Sequence, residues 1–214
     1  MARLLLVRHG QSAWNAESRW QGWADPPLSD LGEAQAGALA SALTSFELQG
    51  VVSSDLERAR RTATIAAAGL GLSVEVEPAL RERDVGAWSG LTTVEIERQW
   101  PQQLAAWRSG RLAAPPEGEP DDTMAVRVMG TLGRLLSRPE ESLLVVTHGG
   151  LIRLVERRLG LEPTTTANLS GRWVYGLGAG GDGFDSLVPG AQFLPELEVA
   201  GQPLPLVHDT TKSR

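Results

Sequence analysis

The chain contains no cysteine. That excludes a disulfide framework, a thiol nucleophile and a zinc–thiolate site. No apolar run approaches the roughly 20 residues that a membrane-spanning helix needs. No signal-peptide pattern precedes the first apolar run, so a cytoplasmic protein is expected. Lys212 is the only lysine, and there are only 3 histidines. The formal net charge of −6 weighs against a nucleic-acid-binding surface. No internal repeat is present. The 214 residues suffice for one sizeable α/β domain with insertions.

Two short apolar runs stand out. Leu4-Leu5-Leu6-Val7 passes into Arg8-His9-Gly10, and Leu143-Leu144-Val145-Val146 passes into Thr147-His148-Gly149-Gly150. Each reads as a buried strand with a histidine just beyond its end. Ligands of open α/β sheets bind at the carboxyl ends of the strands. Glycine after each histidine lets backbone approach a ligand closely.

Residues 15–28 read as a loop. Ser29 is an expected N-cap for a helix with Leu31, Ala34, Ala38 and Ala42 on one face. A strand over 50–54 leads into a helix from Asp55 to about Leu70, with Leu56, Ala59, Ala63, Ala66 and Leu70 aligned and Arg58 in its first turn. Val74–Val76 is a third strand. Residues 84–120, with two short helices split by Pro101, read as a cap insertion over the sheet, too short for a core of its own. A helix from Asp122 to about Ser137 aligns Ala125, Val128, Leu132 and Leu135. Another after His148 aligns Leu151, Leu154, Val155 and Leu159. Beyond Ala167, strands separated by glycines are expected. Residues 1–200 form one domain in this reading, and 201–214 a poorly ordered tail.

Alternation of strands and helices predicts a mostly parallel sheet with helices on both faces. Arg8, His9, Arg58, Glu82 and His148 all fall at or just past strand ends, so they can converge. Arginine forks suit phosphate oxygens. Glycine-rich helix starts add N–H donors. A neutral imidazole can act as a nucleophile, and a carboxylic acid can protonate a leaving alkoxide. These are the parts of a metal-free phosphoryl-transfer site. Arginines beside His9 are expected to lower its pKa.

Arg8-His9-Gly10-Gln11-Ser12 with Asn15 resembles the opening signature of the histidine phosphatase superfamily, also called phosphoglycerate-mutase-like. The likeness continues through Gln21-Gly22, Asp25-Pro26-Pro27-Leu28-Ser29, Ser53 to Ala59, Arg81-Glu82-Arg83, Gly86 to Gly90, and Thr147 to Gly150. The resemblance implies a three-layer α/β/α sandwich with a mostly parallel sheet and a small cap. It implies His9 as the residue that becomes phosphohistidine, with Arg8, Arg58 and His148 holding the phosphoryl group and Glu82 giving the proton. Asn15, Ser12, Gln21, Gly22, Arg83 and Gly149 are implied phosphate or substrate contacts. No metal and no cofactor are expected. The partners implied are a small phosphorylated metabolite as substrate, inorganic phosphate as product and a second copy of the chain in a homodimer. Neither nucleic acid nor membrane is among them.

Two departures from the family pattern bear on function. Relatives often carry Pro-Gly-Gly-Glu-Ser where this chain has Pro116-Glu117-Gly118-Glu119-Pro120. Mutases in the family hold a second phosphate with a cap lysine and two adjacent arginines, whereas this chain has Arg108 followed by Ser109. A phosphatase is therefore expected ahead of a cofactor-dependent mutase. A non-catalytic binding member of the fold ranks third, since His9 is present. Most of the tryptophans are expected to pack under loops; Trp20, Trp23 and Trp88 lie beside motif residues, which makes them the candidates for a wall of the leaving-group pocket.

Overall fold

The computed structural model describes residues 2–140, 142–164, 166–176, 187–195, 197–199 and 202–203. Strand β1 spans Arg3–Arg8 and is followed by a one-turn helix, α1, at Ala13–Ala16. Helix α2 (Asp30–Leu43), strand β2 (Gly50–Ser53), helix α3 (Glu57–Leu70) and strand β3 (Val74–Val76) come next. Two short helices follow, α4 (Thr93–Gln99) and α5 (Pro101–Arg108). Then come α6 (Asp121–Leu136), β4 (Ser142–Thr147), α7 (Gly149–Arg158), β5 (Gly171–Gly176) and β6 (Leu187–Phe193). Two-residue strands Glu198–Val199 and Gln202–Pro203 pair with each other. The rest of the expected tail, with His208 and Lys212, lies outside the described residues.

The six-stranded sheet runs in the order β3-β2-β4-β1-β5-β6. The β3–β2, β2–β4 and β4–β1 ladders are parallel, while β5 and β6 extend the sheet antiparallel. The side-chain period of two explains why the central strands are apolar throughout. Leu4 and Leu6 of β1, with Leu143 and Val145 of β4, face α6 and α7. Leu5, Val7, Leu144 and Val146 face α2 and α3. This is the α/β sandwich expected from the alternation of elements.

The buried face of α2 differs from the expected one. Gly32, Gln35, Ala36, Leu39 and Leu43 point inward together with the expected Ala38, whereas Leu31, Ala34 and Ala42 are only partly buried. Ser29 does cap the helix, accepting the Gly32 N–H at 3.1 Å. A backbone contact decides the face: a Cβ on Gly32 would lie 1.9 Å from the Gln11 carbonyl oxygen. Glycine at 32 thus lets α2 press directly on the segment that follows His9.

Val85, Trp88, Ile96, Leu104 and Trp107 form a small apolar cluster, completed by Trp20 from the first long loop. Part of the 84–120 segment thus shares a small core with the first long loop. Trp88 is wholly buried there, edge-on to Trp20 and Trp107, so it packs that core and is not at the pocket wall. Trp23 is the exposed one; it donates to the Glu82 carbonyl at 2.8 Å and lies under Arg81. Glu117 adopts φ +61°, the left-handed backbone that a glycine holds without strain. The turn it belongs to packs on Gly86, where a Cβ would meet the Pro116 carbonyl oxygen at 2.2 Å.

Opposite outcomes are expected for two alanine substitutions in α2. Helix propensity favours alanine over glycine by about 1 kcal/mol. Gly37 has open space around it, so Gly37→Ala should stabilise by about 0.5–1 kcal/mol in urea unfolding. Gly32→Ala forces α2 off Gln11 and should cost about 2 kcal/mol or more. Equal effects at both positions would refute the packing argument.

Candidate active site

The parallel ladders carry the histidines together. The β1–β4 pairing extends one step beyond the strands, with the His9 N–H donating to the Thr147 carbonyl at 2.9 Å. The two imidazole centroids are then 5.2 Å apart and near edge-on. On the other side of β4, the Ser54 N–H donates to the Val146 carbonyl, which places the Ser54 hydroxyl 2.9 Å from His148 Nε2. Arg8, His9, Arg58, Glu82 and His148 are all buried.

His9 is held in a defined tautomer. Its Nδ1 lies 2.6 Å from the Gly10 carbonyl oxygen, and only an N–H can bond there. Nε2 is therefore unprotonated in the neutral ring, and it accepts from Arg58 Nε at 3.2 Å. His9 borders a polar cleft lined also by Arg8, Asn15, Arg19, Gln21, Arg58, Glu82 and Gly149. Burial pushes the His9 pKa well below its ordinary value of 6.5, and Arg58 and then Arg8 push it the same way. The direction is the one expected from the sequence, although burial is the larger cause. Arg58 itself is lowered to about 10 by burial and remains a cation at neutral pH.

Arg58 sits in the first turn of α3. Its Nη1 and Nη2 donate to the Ala24 and Gly22 carbonyls at 2.8 and 2.9 Å. Gly22 thus serves through its carbonyl, in a left-handed turn where a Cβ would meet Val85 at 2.7 Å. Arg8 Nη1 donates to the Thr166 carbonyl at 2.7 Å. Glu82 follows a turn of 3-10 helix at Pro78–Leu80. Its Oε1 accepts the Arg83 N–H at 2.8 Å and its Oε2 the Gly150 N–H at 2.9 Å. A Cβ on Gly150 would lie 2.2 Å from Oε1, so only glycine lets the carboxylate rest against the start of α7.

The other expected contacts divide. Asn15 and Gln21 reach the cleft. Asn15 Oδ1 accepts from the Ser12 N–H and lies 3.1 Å from the Ser12 hydroxyl, which leaves its NH2 as the donor. Ser12 is fully buried and does not line the cleft; it caps α1 and bonds Gln21. Arg83 is not brought to the cleft either. It pairs with Asp121 at 2.6 Å, donates to the Glu119 carbonyl and lies over Trp107, joining α5 to the start of α6. Among the described residues no group of three or more His, Cys, Asp or Glu is placed to hold a metal ion.

Comparison with known proteins decides the family. The model of the histidine phosphatase superfamily, branch 1, matches residues 4–172. The chain belongs to the histidine phosphatase superfamily. The glucosyl-3-phosphoglycerate phosphatase of Mycobacterium tuberculosis is 35% identical over 195 residues, covering 81% of this chain and 87% of that protein. A probable phosphoglycerate mutase of Cronobacter sakazakii is 38% identical over 178 residues, covering 76% and 81%. The solved structure of a mycobacterial glucosyl-3-phosphoglycerate phosphatase with VO3 is 33% identical with a TM-score of 0.76, covering 94% of this chain and all of that one.

Several residues of this histidine phosphatase site carry no mark in the sequence. Asn168 Nδ2 donates to the His9 carbonyl at 2.8 Å. Its neighbour Leu169 takes φ +60° so that its N–H reaches the Arg8 carbonyl. Thr62 Oγ1 accepts the Gly10 N–H at 3.0 Å. Arg127, on α6, donates from Nη1 to the Ala79 and Arg81 carbonyls and from Nη2 to the Glu82 carbonyl, and it pairs with Glu119 at 2.6 Å. The loop that departs from the family pattern therefore has a role: Glu119 fixes Arg127, and Arg127 fixes the backbone of Glu82.

The depressed His9 pKa has a sign that can be read. Between the folded value and about 6.5 the unfolded chain binds a proton that folded His9 refuses. Stability should fall as pH drops through that window, and the His9 ring should titrate below the ordinary histidine value. Ring NMR across the histidines checks this; a His9 midpoint at or above the ordinary value would contradict it.

Proposed function

We propose that this histidine phosphatase hydrolyses its substrate through a phosphohistidine on His9. The chain is a phosphoric monoester hydrolase acting on a small phosphorylated metabolite. His9 Nε2 attacks phosphorus as the ester P–O bond breaks, and the leaving oxygen takes a proton from Glu82. Water then attacks the phosphohistidine, Glu82 takes the water's proton, and inorganic phosphate leaves. Arg8, Arg58 and His148 hold the phosphoryl oxygens, and Asn15 adds a donor. Preorganised donors of this kind stabilise charge that builds up on the transferring group. The observation that carries the reading is the Nδ1-protonated tautomer of His9, which keeps a buried, neutral Nε2 facing two arginines and Glu82. A single domain with residues 84–120 as its cap, a cytoplasmic location and a homodimer complete the proposal.

Substrate choice follows the relatives. Those named for glucosyl-3-phosphoglycerate make that sugar acid phosphate the first compound to assay. A phosphoglycerate mutase is the alternative, supported by the names of other relatives. In the cap, Arg108 sits 4.0 Å from Glu97 on an exposed face, and no described residue is a lysine. A second phosphate would find little there. 3-Phosphoglycerate with catalytic 2,3-bisphosphoglycerate separates the two; rapid 2-phosphoglycerate formation without phosphate release favours the mutase.

Brief reaction with a labelled phosphomonoester, quenched in alkali, should leave an acid-labile phosphate on His9. His9→Ala should lose both label and turnover; substantial turnover by that variant would exclude the covalent route. Glu82→Gln should slow alkyl phosphates by about 10²-fold or more and an aryl phosphate much less, because a phenolate leaves unprotonated. Equal losses on both would remove Glu82 from the acid role.

A further inference from the structure

We infer that Arg153 is a specificity residue that binds a second oxyanion, carried on the leaving portion of the substrate. The inference rests on the phosphatase reading and deepens it. Arg153 lies one turn into α7, and helical side chains lean toward the helix N-terminus. Its Nη1 is 3.5 Å from the point that a Gly149 Cβ would occupy. Arg8 approaches the same point, with Cδ at 3.3 Å and Nε at 3.5 Å. Gly149 lines the cleft, so the absent side chain at 149 lets a second guanidinium lie along its edge, next to the phosphoryl-binding Arg8.

Charge makes this placement unusual. Arg153 is half-buried, and it makes no hydrogen bond or ion pair with any described residue. The arginines further along α7 are matched, Arg157 with Asp121 at 3.5 Å and Arg158 with Asp122 at 2.6 Å. A cation at a helix N-terminus is opposed by the helix dipole, and Arg8 opposes it again. A bound anion relieves both repulsions. The transferring phosphoryl group belongs to Arg8, His9 and Arg58 in the proposed mechanism, so the anion at Arg153 is a different group of the same molecule. A carboxylate or a second phosphate fits the planar fork.

The test compares substrates that differ in that group alone. 3-Phosphoglycerate and glycerol 3-phosphate differ by a carboxylate, and fructose 1,6-bisphosphate and fructose 6-phosphate by a phosphate. p-Nitrophenyl phosphate reports the shared chemistry. Arg153→Met should raise KM for the member of a pair that bears the extra oxyanion by about tenfold, with kcat little changed. KM for its partner and for p-nitrophenyl phosphate should stay within about twofold. The pair that responds identifies the oxyanion. Arg153→Lys keeps the charge without the fork and should show a smaller loss on the same pair, and it serves alone if the methionine variant does not fold. Equal losses on every substrate would place Arg153 on the transferring phosphoryl group instead, and no loss on either pair would remove it from the site; both outcomes overturn the inference. Wild-type protein inert toward p-nitrophenyl phosphate would defeat the phosphatase reading itself, which is distinguishable from either.

Discussion

Two guanidinium groups buried against one imidazole set the terms for the rest of this molecule. Arg8 and Arg58 keep their charge away from bulk water, and a buried cation needs hydrogen-bond acceptors around it. The Gly22, Ala24 and Thr166 carbonyls supply them. The loop over 20–25 and the segment before β5 are therefore held in place by the same charges that face the cleft. The pKa of the imidazole between them is pushed well down, by burial first and by the two arginines next. The neutral form that a nucleophile needs is favoured first by burial and then by charges placed to bind an anion.

The scaffold that brings these groups together works by close backbone approach. Parallel pairing of β1 with β4 brings His9 next to His148. Gly32 seats α2 on the backbone beyond His9, and Gly150 seats Glu82 on the start of α7. At neither place is there room for a Cβ. Leu169 takes a left-handed backbone without being glycine, at a cost of about 1–3 kcal/mol. Its place beside the Arg8 carbonyl shows the site shaping the chain around it.

Arginine does the joining in a chain with a single lysine. Arg127 bonds three consecutive-turn carbonyls and Glu119, Arg83 links α5 to the start of α6, and Arg19 ties the first loop to the Gly90 carbonyl and Glu95. A rigid fork of several donors can serve carbonyls and carboxylates at once, which a lysine ammonium does less well. Surface pairs such as Arg61 with Glu33 contribute little by comparison. Arg153 stands apart from all of these because nothing in the described chain satisfies it.

How much of this was legible depended on range. Apolar runs ending in histidine and glycine marked β1 and β4, because a strand buried on both faces must be apolar without alternation. The ordered motifs located Arg8, His9, Arg58, Glu82 and His148; the first four line one cleft, and His148 lies behind it against the His9 ring. Sequence did not show that Ser12 caps a helix, that Arg83 turns to Asp121, or that Trp88 packs against Trp20 and Trp107, since each depends on which neighbour the folded chain presents. The inward face of α2 keeps Ala38 but otherwise departs from the apolar pattern, because backbone contact at Gly32 outweighs that pattern. Asn168, Thr62 and Arg127 had no local signature at all. Their partners are carbonyls and amides, which every residue carries, so only the folded chain decides which of them meet. Local pattern determined the strands, most helices and the kinds of chemistry available. Tertiary structure alone decided the tautomer of His9, the clamp on Glu82 and the open guanidinium of Arg153, because each is a relation between groups distant in sequence.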